Sequence, residues 1–522
     1  ELSRSSCQLM KDDYRMKSIR QIPQRLNGIV FCFVAACLFC QSSMVRADDW
    51  KFDVKFSETV HGKPYTGRVY LLFSKLNAEP RQGPSWFHPE YFVARDVTDW
   101  RAGESLAFSS ADTEGMIAYP QPLAEMPLAG YRAQAVVRFN PWEREIGVGP
   151  GNGFSSTVEL PEKAPAEPIA FEVAKLVPNV TFHESKWCKL LAVKSKLLSE
   201  FYKHDVTVNA AVLLPASYER EPDRRYPVMF TIPGFGGTHY DFQRDEPIDE
   251  RNKNGVEFIR VSLDPSCPLG HHVFADSENN GPWGTALVEE FIPEFDRQYR
   301  SVAKPAARFL TGHSSGGWSS LWLQVTYPDQ FGGVWSTAPD PVDFRDFQRI
   351  DLYRPGENMY VDEQGNRRPL ARDRERVLLW YRGFADMEWV LGPGGQLHSF
   401  EAVFSQRGED GKPKLLWNRE TGEIDLDVAR SWERYDIRLI LERNWRTLEP
   451  KLKGKLHVFM GDTDTFYLEG ATKLLKESLS QLESDAVVEL IPGRTHFDLL
   501  TPDLVKRIRG EMVERFLESE PK

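Results

Sequence analysis

Cysteine is scarce in this chain, with six among 522 residues. Four of them, Cys7, Cys32, Cys37 and Cys40, fall in an amino-terminal leader described below. Cys188 and Cys267 remain; two cysteines could pair in an oxidising compartment or stay as buried thiols, and their spacing does not choose. No Cys/His cluster has metal-ligand spacing, so neither a metal nor another cofactor is expected. An excess of basic residues is also missing. Lys and Arg total 65 against 76 Asp and Glu, a net charge of −11, with both signs interspersed. That excludes a basic stripe for nucleic acid or anionic lipid and disfavours a polyanionic substrate. Long apolar runs are absent too. The longest, Ile29–Cys40, is about 12 residues where a bilayer-spanning helix needs about 20. Internal repeats and low-complexity tracts are not found.

That run has a different reading. Behind Met16, Lys17, Arg20 and Arg25 form a basic segment, Ile29–Cys40 an apolar one, and Val45-Arg46-Ala47 a closing site. This is the pattern of a secretory signal peptide cleaved near Ala47, with export to the periplasm or the exterior. Val34-Ala35-Ala36-Cys37 fits a lipobox in residue type, so lipid anchoring at Cys37 is the alternative. The apolar Leu38-Phe39-Cys40 after it argues against a polar tether.

The remainder divides by pattern. In residues 48–177, Trp50–Phe56 alternates strictly and predicts a half-buried strand. Tyr131–Phe139 does the same, with Arg132, Gln134 and Arg138 assigned to a wet face. Proline- and glycine-punctuated segments between them show no helical period, so a small β-sandwich is expected. Residues 178–520 change character. Val206–Leu214, Val228–Ile232, Phe258–Leu263, Phe309–Thr311, Gly333–Ser336, Leu456–Met460 and Val487–Ile491 are short apolar runs typical of strands buried on both faces. Helical segments Thr285–Tyr299, Leu468–Leu482 and Pro502–Phe516 alternate with them, which predicts an α/β fold with a doubly wound, mostly parallel sheet. From about 345 to 450 the rhythm is lost. A helix-like Arg374–Tyr381, a turn-rich piece and a long helix near Val428–Trp445 suggest a cap or lid insertion. Its aromatics Trp380, Tyr381, Trp389, Trp432, Tyr435 and Trp445 could line a pocket or fill the insertion's core.

The chemistry-bearing residues sit at strand ends. Gly312-His313-Ser314-Ser315-Gly316-Gly317 follows a strand and precedes the apolar Trp318–Val325, the strand–turn–helix setting of a nucleophile elbow. The turn needs small residues two before and two after the serine. Ser314 has Gly312 and Gly316 there, whereas Ser315 would have His313. Strand Leu456–Met460 runs into Gly461-Asp462-Thr463-Asp464, and strand Val487–Ile491 into Pro492-Gly493-Arg494-Thr495-His496. Both loops open on the elbow's edge of the sheet, so Ser314, His496 and Asp464 can converge as nucleophile, base and orienting acid. Asp464 is preferred to Asp462 because it lies three residues past the strand-ending glycine. Backbone N–H groups of Ser315 and Phe235, the latter within Pro233-Gly234-Phe235-Gly236-Gly237, are the expected oxyanion donors. Gly234, Gly236, His271, His272 and His313 are further candidates for substrate contact, and Asn279-Asn280 shares a loop with the two adjacent histidines.

With these residues in view, the chain resembles the esterase branch of the α/β-hydrolases that includes enterochelin esterases, S-formylglutathione hydrolases, feruloyl esterases and mycolyltransferases. The resemblance is carried by Ile232–Gly237, Gly312–Gly317, Gly461–Asp464 and His496, together with Ala275-Asp276-Ser277-Glu278-Asn279-Asn280-Gly281-Pro282. It implies hydrolysis of carboxylic esters through an acyl-enzyme and fixes no substrate; a small-molecule or polysaccharide-linked ester is the expected partner. A β-rich domain ahead of the hydrolase is similar to the arrangement in enterochelin esterases. Those act in the cytoplasm, and the export leader argues against that role. Acyl transfer or peptide cleavage could use the same triad, and a carbohydrate- or surface-binding protein could retain the scaffold; the intact serine and histidine speak against the last.

Overall fold

The computed structural model describes residues 49–111, 114–248 and 254–519. The leader, its cleavage point near Ala47 and Cys37 lie outside the described residues.

The strand Lys51–Phe56 buries Phe52, Val54 and Phe56 and turns the residues between them outward, as its alternation demands. It joins a nine-stranded sheet. The order is Leu106–Ser109, Lys51–Phe56, Ile169–Leu176, Gly153–Ser155, Arg132–Val137, Tyr65–Ser74, Phe92–Trp100 and Met116–Tyr119, with Val158–Glu159 beside Arg132–Val137. Three strands separate Lys51–Phe56 from Tyr65–Ser74 in that order. Even so, the Phe52 ring lies 5.5 Å from Phe73. The hydrogen bonding thus runs through one sheet bent over an aromatic core, in place of the two facing sheets of the expected sandwich.

The expected wet face of Tyr131–Phe139 is covered. Gln134 is 1% exposed, and it accepts from Arg81 N–H at 3.0 Å and donates to Ser155 O at 2.9 Å. The cause is tertiary: Tyr70, Leu72, Phe92 and Val136 on the outer face share a core with the second half of the chain. Polar side chains on that face bond across the junction. Arg138 donates to Pro393 O at 2.7 Å, Arg68 to Trp389 O at 2.8 Å, and the Tyr70 hydroxyl to Leu391 O at 2.7 Å. Trp389 and Leu391 close the helix Tyr381–Leu391, so Arg68 and Tyr70 meet carbonyls that have no partner within the helix.

The second half is built on an eight-stranded sheet. Its strands, in chain order, are β1 Cys188–Ser195, β2 Val206–Leu213, β3 Val228–Ile232, β4 Ile259–Leu263, β5 Arg308–His313, β6 Gly333–Thr337, β7 Leu456–Gly461 and β8 Val487–Ile491. The spatial order is β1-β2-β4-β3-β5-β6-β7-β8. β2 is antiparallel to β1 and β4, and β3 to β8 are parallel. β6 is buried throughout, as a strand covered on both faces must be. β1, which is not one of the continuous apolar runs, is one of the two edge strands and alternates buried with open positions. The expected helix Thr285–Tyr299 is a helix from Trp283 to Gln298 with a wide turn at Leu287–Phe291, immediately before Pro293.

The long excursion leaves after β6 and returns at β7. Arg376–Trp380 is a strand paired with Pro369–Asp373, not the expected helix. The expected long helix is three pieces, Leu426–Ser431, Trp432–Tyr435 and Ile437–Leu452. It breaks at Asp436, whose carboxylate caps the last piece by accepting from Leu439 N–H at 2.9 Å. The same carboxylate takes Phe344 N–H at 3.1 Å and the Tyr353 hydroxyl at 3.0 Å. Tyr381, Trp432 and Tyr435 are buried in the shared core, while Trp389 is exposed.

Candidate active site

Ser314 sits between β5 and the helix Ser315–Thr326 with φ 60° and ψ −127°, a conformation costly for a residue with a side chain. The turn is held by Ser314 N–H donating to Thr337 O at 3.1 Å and Trp318 N–H to Ser314 O at 3.0 Å. Crowding explains the glycines: a Cβ on Gly316 would lie 1.9 Å from Ile232 O, and one on Gly312 would lie 2.1 Å from Gly316 O. The strain lifts the serine above the sheet edge into a cavity of about 620 Å³.

His496, from the loop after β8, enters the same cavity. Its Nδ1 lies 2.8 Å from Asp464 Oδ2. Asp464 is fully buried, and its second oxygen accepts Phe466 N–H at 2.8 Å. Asp462 faces elsewhere, accepting Gly493 N–H at 2.7 Å. Of the two carboxylates, Asp464 is the one brought to the imidazole. Ser314 and His496 are not hydrogen-bonded to each other in this conformation, a contact that commonly tightens only with substrate bound.

The loop after β3 lies against the serine. A Cβ on Gly234 would stand 3.3 Å from Ser314 Cβ and 3.1 Å from His313 O. Gly234 and Phe235 therefore border the reaction space, and Phe235 lines the cavity. Gly236, at φ 92°, turns its carbonyl to Arg144, which donates to it at 3.0 Å. Ser315 opens the following helix, and its hydroxyl donates to Asp340 Oδ2 at 2.5 Å.

The remaining histidines divide. His313 lines the cavity with its ring 4.7 Å from that of His496 and its Nδ1 3.1 Å from Thr337 Oγ1. Burial, then the His496 charge, pull its pKa down to about 3, so the ring is neutral. His271 and His272 are buried away from the cavity, which corrects the expectation of substrate contact. His271 Nε2 lies 3.0 Å from Pro233 O, bracing the loop behind Gly234. His272 stacks on Trp283 at 3.8 Å between centroids. Asn279 donates to Ser405 O at 2.9 Å and belongs to the packing of the excursion. Cys188 and Cys267 are both free and buried.

Three contributors were not foreseen. Asp340, beyond the end of β6, lines the cavity beside Ser315; burial pushes its carboxyl up to about 6. Gln396 donates to the Ser315 hydroxyl at 3.3 Å from the excursion. Its own position is set by Glu388, which accepts the N–H groups of Gln396, Leu397 and His398 at the start of the helix Gln396–Phe404. Trp86 reaches the cavity from the N-terminal sheet. Asp340 carried a readable signal, an aspartate just past a buried strand; the other two carried none. The excursion aromatics named from sequence do not line this cavity; Phe384 and Phe400 do. Among the described residues no cluster of His, Cys, Asp or Glu could hold a metal ion, and no helix is long and apolar enough to cross a membrane.

Residues 199–436 match the family described as "Putative esterase". Esterase MT1326 of Mycobacterium tuberculosis (strain CDC 1551 / Oshkosh) is 28% identical over 138 residues, 26% of this chain and 30% of that protein. The chain thus spans under a third of the length of the curated relatives it matches. Among solved structures, a ferulic acid esterase is 15% identical with a TM-score of 0.39, covering 63% of this chain and 99% of that one. An S-formylglutathione hydrolase from Agrobacterium tumefaciens is 14% identical with a TM-score of 0.38, covering 65% and 98%. Residues 199–436, which carry the elbow and the loop beside it, are thus similar to this esterase family.

Proposed function

We propose that the protein is an exported serine hydrolase that cleaves carboxylic esters through an acyl-enzyme. The observation that carries this reading is the 2.8 Å His496–Asp464 bond in a cavity shared with the strained Ser314. In this reading Ser314 Oγ attacks the ester carbonyl while His496 Nε2 takes its proton. Asp464 holds the Nδ1–H tautomer and stabilises the imidazolium. The carbonyl oxygen, now an anion, is met by the N–H groups of Phe235 and Ser315. Collapse expels the alcohol, which receives the proton from His496. Water then repeats the steps on the acyl-enzyme and frees the acid.

The excursion acts as a cap in this scheme, because Leu370, Phe384, Leu397 and Phe400 supply apolar wall to the cavity. The bent N-terminal sheet is docked beside it. The substrate is a small-molecule or polysaccharide-linked ester, and export rests on the leader pattern ending near Ala47.

The test is a fluorophosphonate probe on the mature protein with a panel of p-nitrophenyl esters. Labelling and turnover are expected in the wild type and should fall by about 10³-fold or more in Ser314→Ala and His496→Ala. A wild type that neither labels nor turns over any ester would end this reading. Amino-terminal sequencing of secreted protein tests the leader: a mature chain starting at Asp48 is expected, and retention of the leader would overturn export.

A further inference from the structure

Trp86 lies in the connection between the strands Tyr65–Ser74 and Phe92–Trp100 of the N-terminal sheet, yet it is a wall of the Ser314 cavity. Its ring stacks on Phe235 at 5.5 Å between centroids and meets Phe384 edge-on at 5.1 Å. The next residue, Phe87, lies 6.4 Å from both Phe466 and Phe497, the neighbours of the acid and the base. One N-terminal connection therefore touches the loop beside the nucleophile, the excursion and both remaining catalytic loops.

Trp86 and Phe235 also border a second space, a groove of about 2010 Å³. The two spaces differ in chemistry. Toward Ser314 the walls include Ile232, Leu370, Leu397 and Phe400. On the groove side they include Glu143, Arg144, His204 and Asp264. The stacked pair, with Asp241, borders both the mainly apolar chamber and the groove of mixed polarity. It is braced from the N-terminal side: Arg144 donates to Gly236 O at 3.0 Å with its guanidinium 4.9 Å from the Phe235 ring centre. Arg81, at the start of the connection, donates to Gly147 O at 2.9 Å and lies over the Phe154 ring.

We infer that Trp86 is a specificity-determining residue, through which the N-terminal domain sets the length of acyl chain that the enzyme accepts. An apolar chamber favours the acyl group and a polar groove favours the alcohol, because each occupant must replace the water it displaces. Removing the indole joins the two spaces and removes the stop at the end of the acyl chamber. This inference rests on the ester-hydrolase reading above.

The experiment uses the whole mature protein and p-nitrophenyl butyrate and decanoate, which share a leaving group and differ only in the acyl chain. In Trp86→Ala the decanoate-to-butyrate ratio of kcat/KM should rise about tenfold or more, the scale of discrimination that pocket walls supply. Trp86→Phe, which keeps a ring at this border, should hold the ratio within about threefold of the wild type. A folded Trp86→Ala with an unchanged ratio overturns the inference, even if both rates fall together. Should the alanine variant fail to fold, Trp86→Leu carries the same expectation and the same overturning result. Loss of fluorophosphonate labelling and of all ester turnover in the wild type would instead remove the underlying reading, and this inference with it.

Discussion

Asp464 Oδ2 stands 2.8 Å from His496 Nδ1, while Asp462, two residues earlier on the same loop, binds Gly493 N–H at 2.7 Å. The two carboxylates therefore do different work. Asp464 has one oxygen on the imidazole and the other on Phe466 N–H, so it is fixed in orientation. Asp462 ties the β7 loop to the turn that follows β8.

Asp464→Asn should lower kcat/KM on p-nitrophenyl butyrate by about 10⁴-fold, because an amide facing Nδ1 favours the wrong tautomer. Asp462→Asn should cost less than about tenfold, since the turn at Gly493 keeps a hydrogen-bond acceptor. The opposite ranking would exchange their roles.

Asp340 makes stability depend on pH in an unusual direction. Burial raises its carboxyl from an ordinary 3.8 to about 6, against the opposing hydrogen bond from Ser315. Between those values the folded protein holds a proton that the unfolded chain has released. Stability from this group is therefore greatest below about 4, declines as pH rises, and is level above about 6. Asp340→Asn removes the penalty of a buried charge. Urea unfolding of variant and wild type at pH 5 and pH 7.5 should show the variant gaining at least about 1 kcal/mol on the wild type between the two. A difference that is the same at both pH values would mean that Asp340 stays ionised.

Much of the sheet was legible because its strands are short apolar runs whose length and composition leave little choice. Val228–Ile232 and Val487–Ile491 were placed to the residue. The same logic singles out Ser314, Asp464 and His496, each past a strand end; Ser314 and His496 line one cavity, and Asp464 bonds His496. What failed was decided by distant partners. Arg376–Trp380 has a pattern compatible with a helix and becomes a strand because Pro369–Asp373 pairs with it. Gln134 follows an alternation that normally means solvent, but a second apolar layer covers it. His271 and His272 sit on a loop near the site in sequence, and packing turns them behind it. Trp86 could not have been found by spacing, since more than 200 residues separate it from Ser314.

Trp432 tests whether the excursion is part of the common core. It is 1% exposed, and its ring meets Phe344, Phe347 and Phe404. Its indole N–H donates to Ser405 Oγ at 2.9 Å. Trp432→Ala should cost about 3–5 kcal/mol in urea unfolding, from lost transfer energy and a cavity that rigid aromatic neighbours cannot fill. A single transition is expected, because these rings belong to the cluster that also holds β3 and β5 residues. Two separated transitions would show that the excursion unfolds on its own.

Two glycines measure how much of the elbow is dictated by space. At Gly316 an added methyl would lie 1.9 Å from Ile232 O, and the nearest obstacles are all backbone of β3 and the residue after it. No side chain can rotate away, so relief requires moving β3 from the start of the helix Ser315–Thr326 and with it the Gly234 loop. At Gly383, inside the helix Tyr381–Leu391, an added methyl would meet nothing within 4 Å. Gly383→Ala should therefore raise stability by about 0.4–1 kcal/mol, chiefly by restricting the unfolded chain. Gly316→Ala should abolish fluorophosphonate labelling of Ser314 and lower the melting temperature. Comparable labelling of the two variants, measured under identical conditions, would contradict the tight approach of β3 to the helix start that positions Ser314.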